Sequence, residues 1–237
     1  MERRKILDIS FLVIEFILYI LIFSAPYARI TSYLSIVFCF IYTLTFINYN
    51  KNTRVNLLRL GLATTLVADF FLVLLGGYKE AAMFSFSITQ IAYALLLIEY
   101  SKHVKIETTI RVIGTLSTLV VTYIVLKDGV DMLSLLSMFY YFNLVFNAVL
   151  SFIHHPSVLF KIGLVLFICC DTIIGLQNLG GYIPLSQESI IYKIIYVDFN
   201  LPWIFYLPSQ VLISFSINSI VKEEEVFERE KEMLENI

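Results

Sequence analysis

The sequence predicts an all-α polytopic membrane protein in which eight transmembrane helices form two parallel four-helix repeats. Apolar residues make up 59% of the 237 positions and charged residues only 15%, which is unlike a soluble domain of this length. The charges cluster between apolar runs of roughly 20 residues, the length that one helix needs to cross a bilayer. A short pattern that ends in an aspartate also occurs twice.

Helices follow from the length of these runs, because every backbone amide in the bilayer core must be hydrogen-bonded within its own segment. A transmembrane barrel would instead alternate over segments of about ten residues. The first run is short and is expected to extend at both ends, and Pro202 and Pro208 interrupt the last one. The predicted helices are, in order, residues 9–23, 30–49, 57–75, 81–100, 108–126, 133–153, 157–176 and 199–221.

Basic residues are unequally distributed over the two alternating sets of loops. The set that includes both chain ends carries 13 of the 17 lysines and arginines. Because cytoplasmic loops are enriched in these residues, we expect both termini in the cytoplasm. The predicted transmembrane domain covers residues 1–222, with repeats at about 1–104 and 105–222, and residues 223–237 are expected to form an acidic cytoplasmic helical tail.

The repeated pattern is GLATTLVAD at residues 61–69 and GLVLFICCD at residues 163–171. Each copy lies on the third helix of its half, as expected for parallel repeats related by an axis along the membrane normal. Asp69 and Asp171 would both lie about 18 to 21 Å from the cytoplasmic ends of their helices. An intramembrane aspartate costs about 2.5 to 3.5 kcal/mol, and we expect no intramembrane Lys or Arg to pair with either one. Both are therefore functional candidates, the alternative being two neutral residues hydrogen-bonded for packing.

Further polar residues lie within the predicted helices. Each one alone is more often an interhelical hydrogen-bonding residue than a ligand contact. Together they predict a polar cavity enclosed by apolar helices, suited to an amphiphile. The members are Glu15, Gln90, Tyr93, Asn143, Asn147, Tyr206 and Gln210.

The sequence resembles the YhhN-like lysoplasmalogenase family over residues 61–216. The segments that carry the resemblance are GLATTLVADFFLVL, FSFSITQIAYALL, GLVLFICCDTIIGL and FYLPSQVLIS. By position, the resemblance matches Asp69 and Asp171 to the two motif aspartates of the family. It matches Tyr93, Tyr206 and Gln210 to the tyrosines and the glutamine of the family motifs. The chain departs from the family pattern at Gln90, where His is common, and at Cys170, where Ser commonly precedes the second Asp.

The resemblance implies an eight-helix hydrolase that cleaves the vinyl-ether bond of a lysoplasmalogen to a fatty aldehyde and a glycerophospho-base. Such a reaction needs an acid and a base, and two neighbouring carboxyl groups can divide these roles. We therefore expect Asp69 and Asp171 to be catalytic, with a lysophospholipid as substrate and membrane lipids as surroundings. The sequence does not indicate an oligomeric state.

Two other functions are considered. A non-enzymatic binder or transporter of lipids or small solutes would fit parallel repeats and a midplane cavity equally well. A zinc hydrolase of the alkaline ceramidase type would need several membrane-embedded histidines, but His103, His154 and His155 fall in predicted loops. We expect no metal and no cofactor, and the spread of basic residues over loops argues against nucleic-acid binding.

Overall fold

The computed structural model describes residues 2–23, 28–179, 188–189, 192–193 and 200–235, and these residues form helices without any strand. A π-helical segment, Phe70–Leu75, directly continues the third helix, and short 3₁₀ turns lie at Ile47–Tyr49 and Lys127–Gly129. The α-helices are α1 Glu2–Ile22, α2 Ala28–Leu44, α3 Thr53–Asp69, α4 Lys79–Ile98, α5 Val104–Leu126, α6 Met132–His154, α7 Val158–Leu179, α8 Leu201–Phe215 and α9 Ile217–Glu235.

Six of the described helices are long and apolar enough to cross a membrane, and they contain α3 to α8. The remaining two predicted crossings correspond to α1 and α2. Helix α2 is apolar but has only 17 residues, and α1 carries Lys5, Asp8 and Glu15 along its length. The all-helical class is therefore confirmed, and the six long apolar helices indicate an integral membrane protein. The number of eight crossings and the side on which the termini lie remain predictions.

Local sequence signals explain where several helices begin and end. The side chain of Asn52 accepts a hydrogen bond from the Val55 amide at the start of α3, and Asp131 and Ser134 form a capping box at the start of α6. Both arrangements satisfy amides that have no partner within the helix. In the eighth predicted helix, Pro202 lies in the first turn, where proline is tolerated. The break comes at Ser216, between α8 and α9, rather than at Pro208.

Six helices contact one another in a ring, in the order α2, α3, α4, α6, α7, α8 and back to α2. Helix α1 packs outside this ring against α2 and α8, and α5 packs outside it against α6. The first helix of each predicted half is thus peripheral and contacts the second helix of that half. The repeat relationship itself remains a prediction.

The two glycines of the repeated pattern lie where the next helix approaches closely. A Cβ atom on Gly61 would come within 2.2 Å of the Tyr93 ring on α4, and one on Gly163 within 2.6 Å of Ile213 on α8. A larger residue at either position would force the neighbouring side chain or helix to move. The pattern therefore sets the packing of α3 on α4 and of α7 on α8.

The predicted acidic tail is part of α9, which continues to Glu235. It contacts the end of the bundle, because Arg54 of α3 pairs with Glu223 at 3.2 Å and the Tyr49 hydroxyl donates to Glu225 at 2.5 Å. Residues 236–237 of the predicted tail, and Phe199 at the start of the eighth predicted helix, lie outside the described residues.

Candidate functional site

The first predicted aspartate, Asp69, is buried, with 3% of its surface exposed. Its carboxylate accepts a hydrogen bond of 2.5 Å from the Tyr206 hydroxyl of α8. Asp69 is the last residue of α3 before the π-helical segment, whose final bond runs from the Gly76 amide to the Phe71 carbonyl, five residues earlier. π-Helical turns are rare in proteins, and those that occur often lie at functional sites.

The second predicted aspartate, Asp171 of α7, is partly buried. Its carboxylate accepts a hydrogen bond from the Tyr140 hydroxyl of α6, and the Cys170 thiol also donates to it. A second bond between the same helices joins the hydroxyls of Tyr141 and Thr172 at 2.7 Å. Each aspartate thus has a tyrosine partner from a different helix.

These two aspartate–tyrosine pairs belong to one site. Asp69 and Asp171 are close enough to interact electrostatically, and Tyr206 interacts with Tyr140 in the same way. The Phe167 ring lies between the two tyrosines, with its centroid 5.4 Å from that of Tyr206 and 6.3 Å from that of Tyr140. We call Asp69, Asp171, Tyr140 and Tyr206 the aspartate site.

Tyr140 was not among the residues predicted from sequence. The signal that could have found it is its position, since it lies three and seven residues before Asn143 and Asn147 and therefore on the same face of α6. Trp203 is a further neighbour, with its ring centroid 5.2 Å from that of Tyr206. Trp203 is the single tryptophan of the chain and can report on events at this site.

The other predicted cavity residues do not all join the aspartate site. Asn147 donates to the backbone and side-chain oxygens of Gln90 at 2.8 and 3.0 Å. Asn143 and Asn147 both accept hydrogen bonds from Arg111 of α5. These residues form a second polar cluster on the α4–α5–α6 side of the bundle.

Glu15 forms a third cluster. Its carboxylate accepts a hydrogen bond from the Ser35 hydroxyl, and the Cys39 thiol lies 3.6 Å from it. The cluster links α1 to α2 and, through a hydrogen bond between Cys39 and Ser214, to α8. Cys39 and Asp69 interact electrostatically, which places this cluster beside the aspartate site.

Tyr93 and Gln210 are both buried and lie at helix contacts. The Tyr93 ring packs over Gly61 and against Phe160, with centroids 5.5 Å apart. The Gln210 carboxamide donates to the Ser209 hydroxyl at 3.5 Å. The structure places neither of these side chains in direct hydrogen-bond contact with the aspartates within the ranges it describes.

Two arginines lie within the apolar helices, and neither forms an ion pair with Asp69 or Asp171 among the described residues. Arg59 is a buried residue of α3 and donates to the carbonyl oxygens of Thr43 and Phe46, at 2.8 to 3.2 Å, near the end of α2. Arg111 lies within the apolar span Val104–Leu126. Neutral oxygens accept hydrogen bonds from both guanidinium groups, and Glu107 also interacts electrostatically with Arg111. These contacts explain how the charges are accommodated there.

Among the described residues, no group of three or more His, Cys, Asp or Glu side chains is arranged to hold a metal ion. His154 instead pairs with Glu107 at 2.8 Å, and His155 accepts a hydrogen bond from the Ser157 amide at 3.1 Å.

Comparison with protein families gives a match over most of the chain. The model of the YhhN family matches residues 27–217, which cover most of the chain and include all four residues of the aspartate site. No curated protein and no solved structure matches the sequence or the fold. On the basis of the family match, this chain belongs to the YhhN family.

Proposed function

We propose that this protein is a membrane-embedded hydrolase that cleaves the vinyl-ether bond of lysoplasmalogens or closely related lysolipids. The family to which the chain belongs includes lysoplasmalogenases. The observation that carries the proposal is the aspartate site, in which two interacting carboxyl groups, each hydrogen-bonded by a tyrosine, lie among apolar helices.

The chemistry of a vinyl ether fits such a pair. A proton donor adds H⁺ to the alkene carbon that does not bear oxygen, which leaves an oxocarbenium ion at the carbon that does. Water adds to this cation and loses a proton to a base, and the resulting hemiacetal collapses to a fatty aldehyde and the free hydroxyl of the glycerol. One molecule of water is consumed and the catalyst is regenerated.

Asp69 and Asp171 supply the acid and the base in this scheme. Two like charges close together in an apolar environment are unfavourable, so a neighbouring pair of carboxyl groups tends to retain one proton. The protonated partner donates to the alkene carbon, and the ionised partner stabilises the cation and activates water. Tyr140 and Tyr206 hold the two carboxyl groups in position.

The test is aldehyde release from a lysoplasmenylethanolamine by purified protein. We expect Asp69→Asn and Asp171→Asn to abolish the activity, whereas Asp8→Asn, a matched change on α1 outside the site, keeps it. The saturated alkyl-ether analogue has no alkene carbon to protonate and should not be cleaved. Wild-type rates in both site variants would overturn the proposal.

The same experiment addresses the alternative of a non-enzymatic lipid or solute binder. A binder would retain the lysolipid without releasing aldehyde, and its binding would tolerate Asp→Asn changes that keep the hydrogen-bonding shape of the side chain.

A further inference from the structure

A line of polar side chains runs along one face of α6, from the aspartate site to the end of the helix. Its members follow one another at intervals of three or four residues, which places them on a single face. Most of them are buried. The line consists of Tyr140, Asn143, Asn147, Ser151 and His154. Its first member donates to Asp171 and its last member pairs with Glu107 of α5.

Arg111 of α5 contacts the middle of this line. Its two terminal nitrogens donate to the side-chain oxygens of Asn143 at 2.9 Å and Asn147 at 2.7 Å. Its guanidinium also lies over the Phe146 ring, 4.7 Å from the centroid. In the part of the chain that the structure describes, no carboxylate lies within ion-pair distance of Arg111. Glu107 interacts with its charge electrostatically, but its hydrogen bonds to Asn143 and Asn147 go to neutral oxygens.

Gln90 adds a donor that has no acceptor. Its oxygen atoms accept from Asn147, and none of its surface is exposed. Its amide nitrogen has no hydrogen-bond partner among the described residues, and an unsatisfied buried donor is costly. Arg111 and Gln90 together therefore offer donors and a positive charge with no anionic acceptor in hydrogen-bond distance among the described residues.

Among the described residues, Glu107 of α5 has an acceptor oxygen without a hydrogen-bond donor. It lies one helical turn from Arg111 on α5, about 6 Å along the axis. One of its carboxylate oxygens pairs with His154 at 2.8 Å. The other oxygen is buried and has no hydrogen-bond partner within the described ranges. This oxygen thus lacks a hydrogen-bond donor in the described part of the chain, and a cationic donor would form the strongest bond with it.

We propose that Arg111, Gln90 and Glu107 form a binding site for the zwitterionic head group of a lysophospholipid. Arg111 and Gln90 donate to the phosphate, and Glu107 accepts from the ammonium group. The identity of the ligand as a substrate rests on the proposed function, but the site itself is defined by the charge of Arg111 and by the polar atoms of Gln90 and Glu107 that are unpaired among the described residues.

The order of these groups agrees with the order of groups in the lipid. Asn143 and Asn147, which hold Arg111, lie one and two turns from Tyr140, or roughly 5 to 10 Å along α6. Glu107 lies a further turn away. A lysolipid whose vinyl ether lies at the aspartate site would place its glycerol next, then its phosphate at Arg111, then its amine at Glu107.

The experiment compares three substrates of equal chain length. These are an alkenyl-glycerophosphoethanolamine, an alkenyl-glycerophosphate without the amine, and an alkenylglycerol without phosphate. We expect Arg111→Gln to raise KM at least ten-fold for both phosphate-containing substrates and to leave KM for the alkenylglycerol unchanged. Glu107→Gln should raise KM for the ethanolamine substrate alone.

Arg54→Gln is the matched control, because Arg54 pairs with Glu223 at the end of the bundle and should affect no substrate selectively. Arg111→Lys, which keeps the charge, should restore part of the affinity for phosphate. If Arg111→Gln changes KM equally for all three substrates, Arg111 merely joins α5 to α6 and the proposal is overturned.

Binding of non-cleavable alkyl-ether analogues separates this proposal from the proposed function. The fluorescence of Trp203 or a thermal shift reports binding of the alkyl glycerophosphoethanolamine and of the alkylglycerol. Head-group-dependent binding that Arg111→Gln removes supports the site even if no vinyl ether is cleaved. Equal binding of both analogues refutes the site even if hydrolysis is observed. Competition by inorganic phosphate alone, at the concentration of the lipid analogue, would identify a phosphate-ion site instead and would also refute it.

Discussion

Tyr206 donates a hydrogen bond of 2.5 Å to Asp69, a residue 137 positions earlier in the chain. This bond joins the third helix of the first predicted half to the last helix of the second half. The corresponding bond from Tyr140 to Asp171 stays within the second half. The two carboxyl groups are therefore held by different parts of the bundle, and each bond can be tested by removing a single oxygen atom.

Tyr206→Phe should lower the rate of aldehyde release by roughly 10- to 100-fold, because a hydrogen bond to a charged group contributes about 1.5 to 3 kcal/mol. The ring is retained, so its packing against Phe167 and Trp203 is unchanged. The rate is measured under saturating substrate. Tyr123→Phe, on the exposed surface of α5, is the control. A rate within two-fold of wild type would show that this bond does not serve the reaction.

Tyr140→Phe should cause a loss of similar size, since it removes the corresponding partner of Asp171. The neighbouring Tyr141→Phe is a close control, because the Tyr141 hydroxyl contacts Thr172 instead of an aspartate. Equal activity of the two variants would exclude a special role for Tyr140.

Gly61→Ala should destabilise the protein by about 1 to 3 kcal/mol, the usual cost of an added methyl group in a packed interior. The new Cβ would lie 2.2 Å from the Tyr93 ring, and that ring is fully buried. Gly175→Ala on α7 is the matched control, because a Cβ there meets no atom within 4 Å. Denaturation in detergent measures the free energy of unfolding of both variants. A stable Gly61→Ala protein would mean that α4 is free to move away from α3.

His155 predicts a dependence of stability on pH. Burial, together with the positive charges of Lys161 and Arg54, lowers the pKa of this imidazole from 6.5 to about 3. Between these values the unfolded chain binds a proton that the folded chain excludes, so the contribution of His155 to stability is lost as the pH falls from 6.5 towards 3.

His155→Phe removes this titration and should make the free energy of unfolding less dependent on pH in that window. His103→Phe, at an exposed position, is the control. The comparison uses the slope of the free energy of unfolding against pH. The absolute value is not compared, because losing the hydrogen bond from the Ser157 amide lowers stability at every pH. Identical slopes in wild type and His155→Phe would contradict the prediction.

The helices themselves were predictable, because the length of an apolar run that crosses a bilayer is fixed by the rise of the helix. The predicted run 133–153 and the observed helix Met132–His154 differ by one residue at each end. The predicted helix 199–221 is divided at Ser216 into two helices in the structure. The residues around Ser216 are compatible with a continuous helix, so the sequence does not indicate this break.

The aspartates could be found from the sequence, since an acidic residue is rare in an apolar run. Their partners were harder to predict. Which helices are neighbours is not contained in the periodicity of any single helix, so the contacts of Tyr140 with α7 and of Arg111 with α6 required the structure. For the same reason, the predicted single cavity is observed as three polar clusters.

The π-helical segment after Asp69 amounts to one extra residue in an otherwise regular helix. A one-residue deletion within Phe70–Leu75 would let the backbone return to ordinary α-helical bonding while Asp69 keeps its place. Because the wide turn already holds the extra residue, the residues that follow the deletion would keep their angular positions around the helix axis. This short stretch can therefore lose one residue without moving the carboxyl group of Asp69 or changing the direction in which the chain continues towards α4.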